Sequence, residues 1–258
     1  VHTQNVQIVA AVGAADGAGI AVAAVQVRVH DHTVAHLDAV LVVLRDGDDH
    51  TGQLVADDAG MHSSQNEQDS RHHAIAAKLP MLEPSDSSEA LAFAKLAYEL
   101  SEQFDTPVLL KMCTRVAHSQ SLVELSDREE KQTVPYEKNI AKYVMMPGNA
   151  IRRHPAVEER TGRLREWAET APINRVEMGG TGLGIITSST SYQYVKEVFG
   201  DSVSVLKLGM ANPLPVRLIR DFAAKVDKLV VVEELDPIIE EHCRALGLEV
   251  SGKDVLPM

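Results

Sequence analysis

The stretch MLEPSDSSEALAFAKLAYELSEQFDTPVLLKM, Met81 to Met112, decides the fold. Met81 to Glu83 reads as a short strand that stops at Pro84. Ser85 or Asp86 can cap a helix behind it, with Glu89 in the first turn. Ala90, Phe93, Ala94, Ala97, Leu100 and Phe104 recur at three- and four-residue intervals and make one apolar stripe. Leu91, Lys95, Tyr98 and Glu102 lie on another side of the same helix. Pro107 then opens a strand over Val108 to Met112. Strand, long helix and strand in succession make the repeating unit of a parallel, doubly wound sheet.

Upstream, Val25, Val27 and Val29 alternate with polar residues as a half-buried strand does, and AVLVVL, Ala39 to Leu44, has the length of a buried one. Gln53 to Ala56 is a further short strand, followed by a polar loop over 57–66 and a helix over Glu67 to Ala77. Downstream, 119–172 is charged, carries four prolines, and holds one helical stretch near Ala156 to Thr170; it reads as a linker whose helix packs on a neighbour. The α/β rhythm returns from Asn174. Strands are expected at Gly184 to Ser188, Val203 to Leu208, Lys228 to Val232 and Leu248 to Val250. Helices are expected at Ser191 to Phe199, Pro215 to Lys225 and Pro237 to Leu246. The expected organisation is therefore a segment 1–53, a first α/β unit over 54–118, a linker over 119–173 and a second α/β unit over 174–258, both sheets mainly parallel.

The 258 residues carry a net charge of -12, which argues against nucleic acid or an anionic membrane surface as the main partner. Two cysteines, Cys113 and Cys243, stand far apart, so no cysteine-built metal site is expected and the compartment reads as reducing, hence cytoplasmic. No apolar run is long enough to span a bilayer. The first fifty residues contain no Lys, Glu, Phe, Trp or Tyr. They read either as a small Ala/Val-rich α/β segment or as the product of a shifted reading frame.

Several motifs bear on chemistry. GGTGLG, Gly179 to Gly184, has part of a dinucleotide-loop spacing, but its third position is Ile185 and it runs into a strand, so it reads as a loop. His30, His32 and His36 with Asp31 and Asp38 read as an exposed polar stretch rather than a metal site, and the adjacent His72 and His73 do not converge. GMHSSQNEQDSR, Gly60 to Arg71, and CTRVAHS, Cys113 to Ser119, each begin where a candidate strand stops. Both would open at the carboxyl edge of one sheet, where α/β proteins bind ligands. Ser64, Gln65, Asn66, Gln68, Asp69, Arg115 and His118 are the candidates for an active-site mouth. The polar loop offers donors and acceptors that could hold a carboxylate-bearing substrate or support a subunit contact, and Arg115 can pair a carboxylate bidentately. EELDP, Glu233 to Pro237, ends a strand of the second unit and places three acids there, as substrate-facing groups or as helix N-terminal charge.

Beyond these readings, six stretches carry a resemblance: VADDAGMHSSQNEQDSR, MLEPSDSSEA, FDTPVLLKMCTRVAHS, GIITSSTSYQYVKEVFG, LKLGMANPLP and VVVEELDPIIEEHCRALG. From about Leu54 to Lys253 the chain resembles the large (α) subunits of indolepyruvate:ferredoxin oxidoreductases, in the 2-oxoacid:acceptor oxidoreductase family. The resemblance implies a thiamine pyrophosphate domain of the pyrimidine-binding type followed by a transketolase-C-terminal-like domain, each a three-layer α/β/α unit. It implies oxidative decarboxylation of an aryl pyruvate to an aryl-acetyl-coenzyme A, with electrons passing to ferredoxin. The implied groups are thiamine pyrophosphate, Mg²⁺ and [4Fe–4S] clusters, and the implied partners are a β subunit, ferredoxin and coenzyme A. The sequence departs from that pattern in three ways. Residues 1 to about 53 do not match, and no Glu precedes Glu67 to activate the thiamine ring. A magnesium and diphosphate domain and a cysteine cluster are also missing. An interior piece of a large subunit, inactive by itself, is the expectation; a catalytically silent α/β scaffold that binds partner subunits is the alternative.

Overall fold

The structure, a computed structural model, describes the backbone of strands 7–10, 25–28, 41–44 and 51–57, and with side chains residues 69–124 and 137–255. In the first part of the chain β1 (Gln7–Ala10) pairs antiparallel with β2 (Val25–Arg28). The larger sheet begins with β3 (Leu41–Leu44), which pairs antiparallel with β4 (Thr51–Asp57). After α1 (Arg71–Ala77) come β5 (Met81–Leu82), α2 (Ser87–Phe104) and β6 (Leu109–Cys113). Both β4 and β5 lie parallel to β6.

Helix α2 forms where its sequence predicts. The Asp86 carboxylate accepts from Glu89 N at 2.8 Å, and the Glu89 carboxylate reaches back to Ser85 N and Oγ, both at 2.8 Å. These bonds satisfy amides that a helix start leaves open. Ala90, Phe93, Ala97, Leu100 and Phe104 are buried against Leu110, Met112 and Val116. Burying Phe93, Leu100 and Phe104 contributes roughly 1.5–3 kcal/mol each. Asp105 ends the helix in the left-handed region, φ 52°.

The segment expected as a linker is more ordered and more integral than predicted. Short helices α3 (Thr114–His118) and α4 (Ile140–Tyr143) precede α5 (Pro147–Ala168), which starts well before the predicted position. Pro147 suits the first turn, but Pro155 sits inside the helix instead of bounding it. Its ring leaves the Ile151 carbonyl without an N–H, and Ile151 is exposed, so water can take that place. Leu164, Ala168, Ala171 and Ile173 enter the core of the first unit.

The second sheet has the order β11, β8, β9, β7. Strands β8 (Gly184–Ser188), β9 (Ser204–Leu208) and β11 (Leu229–Val232) are parallel; β7 (Arg175–Glu177) runs antiparallel along β9. Helices α6 (Ser191–Phe199), α7 (Val216–Ala223) and α8 (Ile238–Ala245) follow the successive strands. The strand expected over 248–250 does not form; an isolated bridge joins Ser251 to Val230 instead.

The two units are less separate than the sequence suggests. Strand β10 (Met210–Asn212) leaves the second sheet's neighbourhood and pairs antiparallel with β5, at the edge of the first. Its position is fixed by two asparagines, Asn174, which is buried, and Asn212, which is partly buried. Asn174 Oδ1 accepts from Gly209 N at 3.0 Å and Met210 N at 3.1 Å, and its amide donates to Ala168 O. The Asn212 amide donates to Leu79 O at 2.6 Å.

Candidate functional site: the facing carboxyl edges

Parallel strands that share a sheet end on one edge, so β4, β5 and β6 end at Asp57, Leu82 and Cys113 on the same side. The carboxyl ends of β8 and β11 face this edge from the second unit. Cys113 Sγ lies 3.3 Å from Thr190 Oγ1, which itself donates to Glu234 Oε1 at 2.9 Å, so the Cys113 thiol is the donor to Thr190.

At the centre is Arg71, the first residue of α1 and only 1% exposed. Its Nε lies 3.0 Å from both Asp69 oxygens, and Nη2 lies 2.6 Å from Asp69 Oδ2. Nη1 donates to Glu233 Oε2 at 2.5 Å, and Nη2 also donates to the carbonyls of Glu234 and Asp236 at 2.7 and 2.8 Å. Glu233 also accepts from Ile239 N and Glu240 N, both at 3.0 Å, and so caps α8 from inside. Asp236 N returns a bond to Asp69 at 3.2 Å.

Lys111 brings a second buried cation to the network. By strand alternation it lies on the face of Leu109, which packs on Ala74 of α1. Its Nζ is 3.1 Å from Glu83 Oε1, and Arg71 Nε is 3.9 Å from the same oxygen. Burial pushes the Glu83 and Asp69 carboxyls up, but Lys111 and Arg71 outweigh it for Glu83, and Arg71 outweighs it for Asp69; both sit below the usual carboxylate range. Burial raises Glu233 against the opposing pull of Arg71 and the two amides. A parallel arrangement stands nearby: buried Lys207 of β9 pairs with Glu89, which also holds Arg175 at 2.8 Å.

The candidate residues divide. Asp69 is buried within the network. Arg115 and His118 follow β6 as predicted, but on the short helix α3, and both are exposed. The Arg115 guanidinium sits 5.6 Å above the Tyr194 ring of α6. Ser64, Gln65, Asn66 and Gln68 lie outside the described residues, as do the histidines of the first forty positions. His72 Nε2 pairs with Asp236 at 2.7 Å, and with Asp69 these three place ligand atoms close together. Asp69 is already neutralised by Arg71, which disfavours a cation there. The GGTGLG loop serves packing: a Cβ on Gly179 or Gly180 would fall 2.4 Å from a carbonyl oxygen of 201–203.

Arg71 ends the GMHSSQNEQDSR motif, whereas Glu83, Lys111 and Lys207 are the site residues that motif reading misses. Their signal is a single charge inside an otherwise apolar strand, LLKMC and SVLKL, or at its very end, MLE. Such a charge must find a buried partner, because an isolated one is too costly.

The described residues do not by themselves build a thiamine site. The buried carboxylates at the facing edges, Asp69, Glu83 and Glu233, are all engaged by Arg71 or Lys111. Two clefts among the described residues lie away from these edges: one of about 270 Å³ beside α7 and β11, one of about 130 Å³ between α1, α5 and Asn212.

This α/β architecture is shared with a class of 2-oxoacid enzymes. A chain of the 2-oxoglutarate:ferredoxin oxidoreductase from Magnetococcus marinus superposes with a TM-score of 0.57 at 17% identity, over 78% of this chain and 45% of that one. No family model matches the chain. Among curated proteins, indolepyruvate oxidoreductase subunit IorA of Archaeoglobus fulgidus is 42% identical over 206 residues, 78% of this chain and 33% of the relative. The IorA subunit of Methanothermobacter thermautotrophicus is 41% identical over 212 residues, 78% of this chain and 34% of the relative. Over its matched length the chain is similar to indolepyruvate oxidoreductase subunit IorA. It spans about one third of the length of these relatives.

Proposed function

We propose that the chain works as part of the large subunit of an indolepyruvate:ferredoxin oxidoreductase. The reaction would be oxidative decarboxylation of an aryl pyruvate to the aryl-acetyl-coenzyme A, with electrons passed to ferredoxin. The observation that carries this is the 42% identity over 206 residues to an IorA subunit. Thiamine pyrophosphate with Mg²⁺ supplies the carbanion chemistry in this reading and [4Fe–4S] clusters carry the electrons. These groups, and the β subunit, are met by residues other than the described ones. Residues 54–118 stand for the pyrimidine-type thiamine domain and 174–258 for the transketolase-C-terminal-like one. In the first, Ser64, Gln65, Asn66, Gln68 and Asp69 with Arg115 and His118 line the mouth. Arg115 suits the substrate carboxylate because, among the described residues, its guanidinium meets only an aromatic face. No described helix is long and apolar enough to cross a membrane, and Cys113 and Cys243 are unbridged; both support a place in the cytoplasm.

A second reading, a silent scaffold between subunits, is favoured by one observation: the facing edges are filled by charges that pair with one another. A transplant separates the two. Residues 54–253 replace the matching third of the Archaeoglobus subunit, co-expressed with its partner subunit, and ferredoxin reduction by indolepyruvate is measured. Retained turnover supports the enzyme reading; a folded, assembled but inactive hybrid supports the scaffold.

A further inference from the structure

We propose that the surface where the end of α2 meets α4 and α5 is an anion site for a phosphate group, held by Arg153 and Arg163 with Lys142 and Arg160 beside them. The inference is independent of the oxidoreductase reading above, and none of these residues belongs to the facing carboxyl edges.

Cations from two helices gather on Phe104 and Asp105, where α2 ends. Lys142 Nζ lies 2.7 Å from Asp105 Oδ1, and Arg153 Nη2 lies 3.9 Å from Oδ2. Arg160 Nη1 donates to the Asp105 carbonyl at 2.9 Å, and the Arg163 guanidinium sits 5.8 Å from the centre of the Phe104 ring. Part of this is ordinary helix termination. A cation on the last carbonyls and another on a nearby carboxylate stabilise a helix end, and Arg160 and Lys142 fill those places. Arg153 and Arg163 exceed that need. Among the described residues Arg153 has no carboxylate within hydrogen-bond distance, and Arg163 meets only an aromatic face. Arg160 Nε also has no acceptor among them.

The electrostatics favour a small, highly charged ligand. The chain carries a net charge of -12, yet here the cations crowd one carboxylate. Burial lowers the Arg160 guanidinium from its ordinary value, and Arg153 and Arg163 push it the same way against Asp105. Such crowding costs free energy that a bound counter-ion relieves. A phosphate suits this geometry better than a carboxylate. Asp105 already supplies a carboxylate and still leaves Arg153 at 3.9 Å. A phosphate brings about two negative charges and several acceptor oxygens, enough to serve more than one guanidinium fork. Arg163 is exposed, and Arg153 and Asp105 are partly open, so an anion reaches them from solvent. Free phosphate and the phosphate of a larger molecule share this chemistry.

The test titrates the full chain with inorganic phosphate and, separately, with ADP, by calorimetry at constant ionic strength; a thermal melt checks that each variant is folded. Saturable binding of at least one probe is expected. Arg153→Gln and Arg163→Gln are each expected to weaken it about fivefold or more. Arg152→Gln removes the same charge from a neighbouring side chain that, among the described residues, is bonded only to Asn149, and should change binding less than about twofold. Asp105→Asn keeps an acceptor for Lys142 and suits the left-handed backbone there, and is expected to tighten binding about threefold. Equal affinity for the two probes assigns the site to free phosphate, and tighter binding of ADP assigns it to the phosphate of a larger molecule; both support the proposal. Binding that Arg153→Gln and Arg163→Gln leave unchanged, or that Arg152→Gln weakens as much as they do, overturns it. Binding of neither probe also overturns it, including the case in which a hexaglutamate peptide binds instead and the surface is a docking face for an acidic chain. If the arginine variants do not fold, Asp105→Asn decides: tighter binding supports the proposal, and unchanged or weaker binding overturns it.

Discussion

Lys111 Nζ lies 3.1 Å from Glu83 Oε1, and both side chains are sealed from solvent at the point where the first unit meets the second. Removing one partner deprives the other buried charge of its 3.1 Å counter-charge. Lys111→Met or Glu83→Leu alone is expected to cost about 3–5 kcal/mol. The double variant is expected to recover most of that loss, since neither charge then remains stranded. Urea unfolding of the four proteins in a double-mutant cycle checks this, and additive losses would contradict it.

Acid should loosen the molecule through specific carboxylates. Asp69, Glu83 and Glu89 are held below their ordinary values: burial opposes the shift, and Arg71, Lys111 and Lys207 respectively outweigh it. A depressed folded-state pKa gives stability that is complete above the unfolded value of about 4 and is lost as pH falls through the folded values. Glu233, raised by burial, works in the opposite sense and does not contribute to this loss. The melting temperature is therefore expected to hold between about pH 5 and 7 and to drop below about pH 4. In Glu89→Gln that drop should be shallower, from a lower plateau.

The glycine loop offers a contrast within six residues. A Cβ at Gly179 or Gly180 meets backbone at 2.4 Å, while one at Gly182 meets nothing within 4 Å. Gly179→Ala and Gly180→Ala are each expected to cost about 2 kcal/mol or more, and Gly182→Ala less than about 0.5 kcal/mol. Chemical denaturation distinguishes them; a uniform cost across the three would sink the packing account.

Arg115→Ala should separate substrate from fold. Its exposed contact with Tyr194 is worth about 0.5–1 kcal/mol, so the melt should shift by only a few degrees. In the assembled enzyme kcat/KM for indolepyruvate should fall about tenfold or more, because the carboxylate loses its partner. Unchanged kcat/KM would remove Arg115 from the mouth.

Much of the fold is legible in the sequence, for identifiable reasons. Helix α2 announces itself because its cap, first-turn acid and apolar stripe all agree. Strand β8 is bounded by turns on both sides, and β9 follows a turn and stops at Gly209. Strand β10 has only three residues and an ordinary turn-like sequence, MANP, so no local periodicity betrays it. What makes it a strand is an open edge on β5 and two asparagine side chains, all distant in sequence. The expected mouth is legible only as polar stretches beside strand ends. The charge network behind it depends on which strand ends face one another, a relationship that no spacing along the chain records.

The insertion of β10 into the first sheet also bears on how the chain is made and inherited. During synthesis β5 leaves the ribosome long before Met210, and until then its outer backbone groups have no partner. Such an open edge invites pairing with other chains, so the nascent protein passes through an aggregation-exposed interval that ends only when β9 and β10 have emerged. The same strand opposes recombination. An exchange of gene segments with a crossover between residues 173 and 209 would give one product an unfinished sheet and the other a strand with no sheet to join, so the two units are expected to travel through evolution as one piece.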